Sequence, residues 1–357
     1  MKILILNDSS GLDGGAQIHD RYIVKELTKR GHDVEFFSGR DGGKFRTFAR
    51  SICSQHDIRK FKQTLTEDID IVFSHGVGTA LSPVLFSVAR KQGIPVVFKL
   101  PDLYRFRYPE VDIREPDKVV EYFRIVLQRR WLLKNVSLFL SPSKAAGQWL
   151  RDELGVNDCI VHRNPIMYEP ADRVQTNRSP FSVLFVGRLD GKKGVTTLVE
   201  ALGRLHSREW KAEIIGDGPE RSQIEERIRQ NGLEDRISLT GYKSHAEVKS
   251  HYRCADVTVL PSTIPETGGL TILESFSQGT PAITTKLGGQ QELVKHSETG
   301  FLFEPGSTLD LCSSLRKLLD SRELQERLSD NALSYAKEYR SDNKVDSLLS
   351  HFQSLKQ

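Results

Sequence analysis

Residues 263–285 read TIPETGGLTILESFSQGTPAITT. Gly268 and Gly269 stand where a loop enters a helical pattern, and a β-branched run follows that helix. Glycines at a helix entry let a ligand approach the free amides and the positive end of the helix. Glu266 precedes the glycine pair and Glu274 lies one turn into the helix. Two acids around an anion-attracting helix entry indicate a bound ligand.

Short β-branched runs alternate with helical patterns from the start of the chain to residue 285. This alternation is typical of parallel sheets with helices on both faces. The sequence therefore predicts an α/β fold of two doubly wound, Rossmann-like domains facing across a cleft, and a helical tail from Ser307 onward. The predicted strands are 2–7, 33–38, 70–75, 95–100, 137–142, 159–164, 181–188, 211–218, 236–242, 256–262 and 281–285.

A polar stretch with three prolines, residues 164–180, separates the two series of strands and is typical of a linker. We expect an N-terminal domain over 1–168 and a C-terminal domain over 178–340. Ligands of such sheets bind outside the carboxyl ends of the strands. The binding motifs should therefore follow strands.

Composition limits the class of protein. The chain has 357 residues, of which 38% are hydrophobic, and no apolar run reaches the ~20 residues of a membrane span. No cleavable signal peptide follows the first strand. The four cysteines are scattered without a C-x-x-C pair, so we expect a reduced, cytoplasmic protein. They are Cys53, Cys159, Cys254 and Cys312.

The net charge is +4, and residues 1–172 hold 26 Lys and Arg against 22 Asp and Glu. The excess is concentrated in segments 104–114 and 124–134. Two interpretations stay open: solvated helix faces, or attraction to an anionic partner such as the inner membrane surface or a phosphorylated acceptor. The charge is too diffuse for nucleic acid, and no nucleic-acid motif is present.

Basic and glycine-rich turns follow the strands of the second half. Arg188 ends the segment FVGR and Lys193 precedes the next helix, so two cations at a helix start suit a diphosphate. Gly216 in IIGDGP could admit a base or a ribose, and Tyr242 in LTGY could reach a base. A solvated loop, a structural turn and an ordinary tyrosine are the alternatives.

The two glutamates complete a set of binding residues that suits a single ligand. A carboxylate suits vicinal hydroxyls because it accepts two hydrogen bonds at once. A nucleotide-diphosphate-sugar offers two such diols, one on the sugar and one on the ribose. Glu266 and Glu274 would take one each, while Arg188 and Lys193 hold the diphosphate between them.

The first half carries a weaker motif, DSSGLDGGAQIHD at residues 8–20. Gly14 and Gly15 open the first helix and would let a ligand approach the backbone, although a plain tight turn explains them equally. The spacing is not the G-x-G-x-x-G of dinucleotide-binding proteins, which argues against a nicotinamide dehydrogenase.

Residues 181–305 resemble the donor-binding domain of retaining glycosyltransferases of GT-B fold, family 4. The resemblance rests on VGRLDGKKG, IIGDGP, LTGY, TGFLFEPGS and the segment containing the E-x7-E pair, Glu266 and Glu274. The first half is similar through KILILN followed by GGAQ, and through GIPVVFKLPDLY. The resemblance implies a retaining hexosyl-type transferase (EC 2.4), with polysaccharide biosynthesis as the expected pathway.

The resemblance also implies residue roles. Arg188 and Lys193 would stabilise the leaving nucleotide diphosphate, and Glu266 would contact the donor sugar. The amides from Gly268 through Gly269 to Leu270 would hold sugar and phosphate, and Glu274 would bind the ribose.

Three further features follow from the same resemblance. Gly15 would face the diphosphate from across the cleft. The last helix, about 341–357, would return to the first domain. No metal and no other cofactor is implied.

One departure from the family concerns the turn after the fourth strand. Many members carry a histidine there, beside the transferred sugar, whereas this chain has Pro101 followed by Asp102. His75, after the third strand, is a candidate substitute, and a structural histidine is the alternative. Tyr104 and Arg105 are candidate contacts on the acceptor side.

Two other functions stay open at this stage. One is a nucleotide-sugar epimerase or a phosphorylase of the same fold. The other is a non-catalytic sugar-nucleotide-binding partner subunit, which the loss of the histidine would suit. The nucleotide base, the sugar and the acceptor (a glycan, a lipid-linked glycan or a small molecule) are not specified by the sequence.

Overall fold

The computed structural model describes residues 1–8, 15–38, 54–77, 81–103, 106–107, 116–171 and 179–356. The described chain divides into two compact units. Unit 1 comprises Met1–Arg163 and Lys344–Gln357, and unit 2 comprises Asn164–Asn343. Each unit holds one six-stranded sheet. Every strand pair in both sheets is parallel, as the alternating sequence pattern predicts.

Unit 1 contains a sheet with the strand order β2-β1-β3-β4-β5-β6. Its strands are β1 (Lys2–Asn7), β2 (Asp33–Ser38), β3 (Ile71–Ser74), β4 (Val96–Lys99), β5 (Leu138–Ser141) and β6 (Cys159–Val161). Its helices are α1 (Gly15–Lys29), α2 (Gln55–Thr64), α3 (Val84–Lys91), α4 (Pro116–Asn135) and α5 (Lys144–Leu154).

Unit 2 contains a sheet with the strand order β12-β11-β10-β7-β8-β9. Its strands are β7 (Phe181–Val186), β8 (Trp210–Ile215), β9 (Ile237–Gly241), β10 (Val257–Leu260), β11 (Ala282–Thr285) and β12 (Gly300–Phe303). Its helices are α6 (Val195–Gly203), α7 (Arg221–Gln230), α8 (His245–Cys254), α9 (Leu270–Ser277), α10 (Thr308–Asp320) and α11 (Arg322–Ala336).

The last helix, α12 (Ser341–Ser354), packs on the sheet of unit 1. Its buried face consists of Val345, Leu348, Leu349 and Phe352, which join the core formed by β1, β3, β4 and β5. The ring of Phe352 lies 5.5 Å from that of Phe73 on β3. The end of the chain is thus part of the N-terminal unit's core.

The structure differs from the sequence-based prediction in two places. Strand β12 was not predicted, because its run GFLF begins with a glycine, contains no β-branched residue and follows directly on a turn. The boundary between the units lies at Arg163–Asn164 rather than at residue 168. Ile166 and Tyr168 are buried in the cores of unit 2, so this part of the polar stretch is not a linker.

The strand order determines where ligands can bind in unit 2. Strand β7 lies between β10 and β8, so the chain winds in opposite directions from this point. In parallel sheets such a switch point leaves a crevice at the carboxyl ends of the two strands. The loops after β7 and β10 carry the predicted donor motifs.

None of the helices that the structure describes has the length and apolar character needed to cross a membrane.

The core of unit 1 contains a buried lysine. Lys99, at the end of β4, is 1% exposed, and its Nζ lies 3.3 Å from Nδ1 of His162. The Nε2 atom of His162 lies 2.9 Å from the carbonyl oxygen of Lys344 and donates to it, so Nδ1 is free to accept from the ammonium group. Burial lowers the pKa of Lys99 from 10.5 to about 7.

We expect the stability that the Lys99→Met variant gains over the wild type to be largest below about pH 7 and to decline as the pH rises towards 10.5. Between the folded and unfolded pKa values only the unfolded chain holds the proton, so wild-type stability rises with pH across that window. Urea unfolding at about pH 6 and about pH 9.5 measures the difference. The exposed Lys91→Met is the control. A Lys99→Met effect that is equal at both pH values would contradict the buried titration.

Candidate functional site

The loops after β7 and β10 interlock through their backbones. Gly194, at the start of α6, has φ +65°, and a Cβ atom on it would lie 2.1 Å from the carbonyl oxygen of Pro261. The amide of Thr263 donates to the carbonyl oxygen of Lys192 at 2.9 Å. Only glycine allows this approach, because any side chain at position 194 would collide with the neighbouring loop.

This interlock brings Lys193 to Glu266. The Nζ of Lys193 donates to Oε1 of Glu266 at 2.6 Å, and Oγ of Ser262 donates to the same oxygen at 2.5 Å. Both charged side chains remain partly exposed, 31% for Lys193 and 20% for Glu266. A cation and a carboxylate that the sequence assigned to phosphate and sugar therefore lie together in an accessible position.

Arg188 leaves the end of β7 on the same edge of the sheet. Its side chain is 70% exposed, and its Nε lies 3.6 Å from Oδ2 of Asp190. A surface pair at this distance holds a guanidinium loosely. Arg188 is therefore free to move towards an anion near the sheet edge.

Gly216 directly follows the neighbouring strand β8 and lies in close contact with the turn that follows β7. Its φ is +140°, and a Cβ atom on it would lie 1.8 Å from the carbonyl oxygen of Gly187. The amide of Leu189 also donates to the carbonyl oxygen of Asp217 at 3.0 Å. Gly216 is thus required for the packing of the two turns. The structure therefore gives Gly216 the structural role that the sequence offered as the alternative. This packing role does not conflict with a contact to the donor.

The predicted glycine entry opens helix α9. Gly269 precedes the first helical residue, Leu270, with φ +57°, and it has no side chain with which to cap the helix. The first amides of a helix have no partner within it, so this end offers N–H donors and a partial positive charge. Gly268 directly precedes Gly269 in the same entry. The geometry suits an anion such as a phosphate.

Glu274 is held by two side chains of α8. His245 Nε2 lies 2.9 Å from Oε1 of Glu274, and the hydroxyl of Tyr252 donates to Oε2 at 2.9 Å. The glutamate is 8% exposed. Each carboxylate oxygen can accept more than one hydrogen bond, so both retain capacity for a ligand hydroxyl.

A third aromatic residue fixes this arrangement. The ring of Tyr168 stacks on His245 with 4.3 Å between ring centroids, and its hydroxyl donates to the carbonyl oxygen of His245. Burial, and then the charge of Glu274, raise the pKa of Tyr168, and the same two causes raise that of Tyr252. Both phenols therefore stay protonated, and Tyr252 remains a donor to the glutamate.

Sequence reasoning missed Tyr168, His245, Tyr252 and Ser262. A signal existed for His245 only: S-x-x-E at residues 244–247 is a capping box, which places His245 at the first position of a helix. Tyr168 lies in the stretch that was interpreted as a linker. No local pattern marks its contact with His245.

Three other residues were predicted to contact the donor. Tyr242 follows β9, and its side chain is 58% exposed. Gly15 is the first residue of α1 in unit 1. Gly14 lies outside the described residues.

His75 is buried in unit 1 and is paired with a carboxylate. Its Nδ1 lies 2.8 Å from Oδ1 of Asp20, and the amide of Asn7 donates to the other oxygen of Asp20. Burial alone would raise the pKa of Asp20, but His75 and His19 lower it to about 2. His75 is 4% exposed, so the structural alternative describes its environment well.

The buried cluster includes a second histidine, His19. Burial lowers its pKa to about 3, so the ring is neutral. Donor atoms of His19, Asp20 and His75 all lie within 4.8 Å of one another. These two imidazoles and one carboxylate could hold a metal ion, and they form the one such cluster among the residues that the structure describes.

The turn after β4 retains its acidic residue at the surface. Asp102 is exposed and follows Pro101, which is partly buried. Tyr104 and Arg105 lie outside the described residues. The acceptor-side residues predicted from the sequence thus remain predictions.

Two family models match nearly the whole chain. The model described as Glycosyltransferase Family 4 matches residues 13–166, and the one described as Glycosyl transferases group 1 matches residues 170–335. The chain belongs to the family 4 glycosyltransferases.

Curated relatives resemble the chain over part of its length. The α-D-kanosaminyltransferase of Streptomyces kanamyceticus is 36% identical over 42% of this chain and 39% of its own. The 2-deoxystreptamine N-acetyl-D-glucosaminyltransferase of Niallia circulans is 33% identical over 41% of this chain and 38% of its own. The chain thus spans about two fifths of the length of these relatives.

Solved structures match the chain from end to end. The Anabaena protein HepE, in complex with UDP, is 20% identical with a TM-score of 0.76, over 99% of this chain and 100% of its own. The sucrose-phosphate synthase of Thermosynechococcus elongatus is 18% identical with a TM-score of 0.79, over 99% and 98%. At this identity the likeness shows the fold, which is GT-B.

We expect Gly194→Ala to destabilise unit 2 by at least about 2 kcal/mol, because the added methyl group collides with Pro261. Gly232→Ala is the matched control: its φ is +61°, and nothing lies within 4 Å of the added Cβ. It should cost only the ~1 kcal/mol of a left-handed alanine. Urea unfolding compares the two. Equal losses would show that the β7 and β10 loops do not depend on this contact.

Proposed function

We propose that the protein transfers a sugar from a nucleotide-diphosphate-sugar to an acceptor, with retention of the anomeric configuration. One observation carries this proposal. The loops at the switch point of unit 2 put the Lys193–Glu266 pair before the entry of α9, and Glu274 one turn inside the helix. A cation, free amides and two carboxylates match the chemical groups of a sugar nucleotide.

The donor class has support from relatives. HepE, which is 20–21% identical to this chain, has been solved in complex with UDP, with UDP and glucose, and with UDP-glucose. The curated relatives named above are glycosyltransferases. Which base this chain accepts is open, because Gly216 and Tyr242 do not distinguish between bases.

The proposed chemistry is electrostatic. Departure of the nucleotide diphosphate develops negative charge, which Lys193, Arg188 and the α9 amides would stabilise. The Nζ of Lys193 is paired with Glu266. A phosphate would compete for this ammonium group and release Glu266 to the hydroxyls of the donor sugar. The positive groups would then replace a metal ion, and no metal or other cofactor is part of the proposal.

Retention follows from the proposed direction of attack. The acceptor would approach on the face that the leaving phosphate vacates, and the phosphate would take the acceptor proton. This route needs no enzymic base, so Pro101 in place of histidine is compatible with activity. Proton NMR of the first product formed would give the anomeric configuration; an inverted product would exclude the route.

The acceptor is assigned only as a class. A glycan, a lipid-linked glycan or a small molecule fits the proposal, and Asp102, Tyr104 and Arg105 are its proposed contacts. Peripheral association with the inner membrane surface belongs to the same proposal, as does polysaccharide biosynthesis. The predicted cytoplasmic location remains a prediction.

A non-catalytic sugar-nucleotide-binding subunit is the second candidate, since Pro101 removes a histidine found in many members. It would bind donor without turnover. An assay of nucleotide release from UDP-, GDP- and ADP-sugars across a broad acceptor panel separates the two functions.

We predict that Lys193→Ala and Arg188→Ala each lower turnover at least ~10-fold, because each removes a charge that stabilises the leaving group. Lys192→Ala is the matched control, since this exposed neighbour contributes its backbone carbonyl to the loop contact. Nucleotide release under saturating donor measures turnover. Wild-type rates in both variants would remove the two cations from the mechanism.

Glu274→Ala should weaken donor binding mainly, and Glu266→Ala should lower turnover mainly. The first removes the carboxylate assigned to the ribose, and the second removes the one assigned to the reacting sugar. Calorimetric titration with the nucleotide diphosphate and steady-state kinetics separate the two effects. The same pattern of losses in both variants would refute this division of roles.

A further inference from the structure

Helix α4 in unit 1 presents its polar residues to the protein interior. Arg124, Gln128, Arg129 and Asn135 are each 9% exposed or less. Arg124 donates to Oε2 of Glu121 at 2.8 Å and to Oε1 of Gln128 at 3.1 Å. The buried polar groups thus satisfy one another along the helix, which reverses the usual orientation of an amphipathic surface helix.

The opposite face of α4 is apolar and exposed. Val120, Phe123 and Leu127 are spaced by three and four residues, so they form one stripe along the helix. Their exposed fractions are 44%, 61% and 39%, and Leu133 beside the stripe is 41% exposed. Single exposed apolar residues are ordinary, but a continuous row of them marks a surface that another apolar phase covers.

Two cations continue the same spacing. Arg130 and Lys134 follow Leu127 at three and seven residues, and both are exposed. Neither forms an ion pair with any residue that the structure describes. With Arg129 they also line a groove whose apolar wall includes Leu133 and Leu154. This stripe, defined as Val120, Phe123, Leu127, Arg130 and Lys134, contains no acidic residue.

We propose that the α4 stripe is a docking surface for an anionic lipid bilayer. A helix lying in the plane of a bilayer buries its apolar side chains at the boundary between head groups and acyl chains. Long basic side chains then extend to the lipid phosphates while their methylene stems remain in apolar surroundings. A bilayer offers an apolar region for the three apolar side chains and anionic phosphates for the two cations.

Self-association through the stripe is less compatible with its charges. A second copy would bring another stripe of three apolar and two basic residues. Contact between two such stripes would bring four cations together, and the exposed Asp117, three residues before Val120, is the one carboxylate of each copy that continues the same spacing, so part of the positive charge would be buried unpaired at a considerable cost in free energy. Lipid phosphates satisfy the same cations without that cost.

Vesicle co-sedimentation of the full chain tests the proposal. The wild type should sediment with vesicles of phosphatidylcholine and phosphatidylglycerol, and less with phosphatidylcholine alone. The double variant Arg130→Gln, Lys134→Gln should bind anionic vesicles about 25-fold more weakly, at about fivefold for each basic residue. The double variant Phe123→Ser, Leu127→Ser should lose at least about 10-fold.

Matched controls make the comparison specific. Lys62→Gln, Lys91→Gln removes the same charge from exposed positions on α2 and α3, and Leu309→Ser removes an exposed leucine from α10. Both controls should bind as the wild type does. Equal loss in the Lys62, Lys91 control would show general charge attraction and overturn the assignment to α4. No sedimentation of the wild type with anionic vesicles would overturn the proposal outright.

Two further measurements complete the test. A wild-type dimer in size-exclusion chromatography with light scattering, converted to a monomer by Phe123→Ser, Leu127→Ser, would assign the stripe to a second copy of the chain and overturn the proposal. Far-ultraviolet circular dichroism verifies that the variants fold. The vesicle assay contains no donor and no acceptor, so its result is independent of whether sugar transfer occurs.

Discussion

The approach of Gly194 to the carbonyl of Pro261 is the contact on which the site of unit 2 depends. It joins the loops that leave β7 and β10, two strands that are neighbours only because the chain reverses its winding direction at β7. The strand order produces the crevice, and Gly194 allows the loops on its two sides to come into contact. Lys193 and Glu266, separated by 73 residues in sequence, come within 2.6 Å as a result.

The two carboxylates of the E-x7-E pair differ in their exposure and in the side chains that hold them. Glu266 is partly exposed and is paired with a partly exposed ammonium group and a serine hydroxyl, so a ligand can exchange for its partners. Glu274 is nearly buried and is fixed by His245 and Tyr252, with Tyr168 stacked behind the imidazole. A fixed carboxylate suits recognition of a diol, and an exchangeable one suits a group that acts as the reaction proceeds. This contrast is a physical basis for assigning them different roles.

Most of the fold could be predicted from the sequence, because buried parallel strands are short β-branched runs that need no partner to be recognised. Eleven of twelve strands were predicted in this way; β12 was missed because its run GFLF begins with a glycine and contains no β-branched residue. The glycine entry to α9 was also local and was predicted. The support of Glu274 was not, since His245 lies 29 residues away in sequence and Tyr168 in a polar stretch. The orientation of α4 was equally hard to predict: its basic composition was visible, but which side of the helix faces solvent depends on tertiary packing.

Thermal unfolding of the wild type and Glu274→Ala with UDP-, GDP- and ADP-sugars tests the donor site most directly. A ligand at ~100 times its dissociation constant stabilises a folded protein by about 2.7 kcal/mol. A donor site built around Glu274 requires that one nucleotide class raise the melting temperature of the wild type and leave that of the variant nearly unchanged. No shift with any of the three classes, or the same shift in both proteins, would contradict a sugar-nucleotide site at the entry of α9.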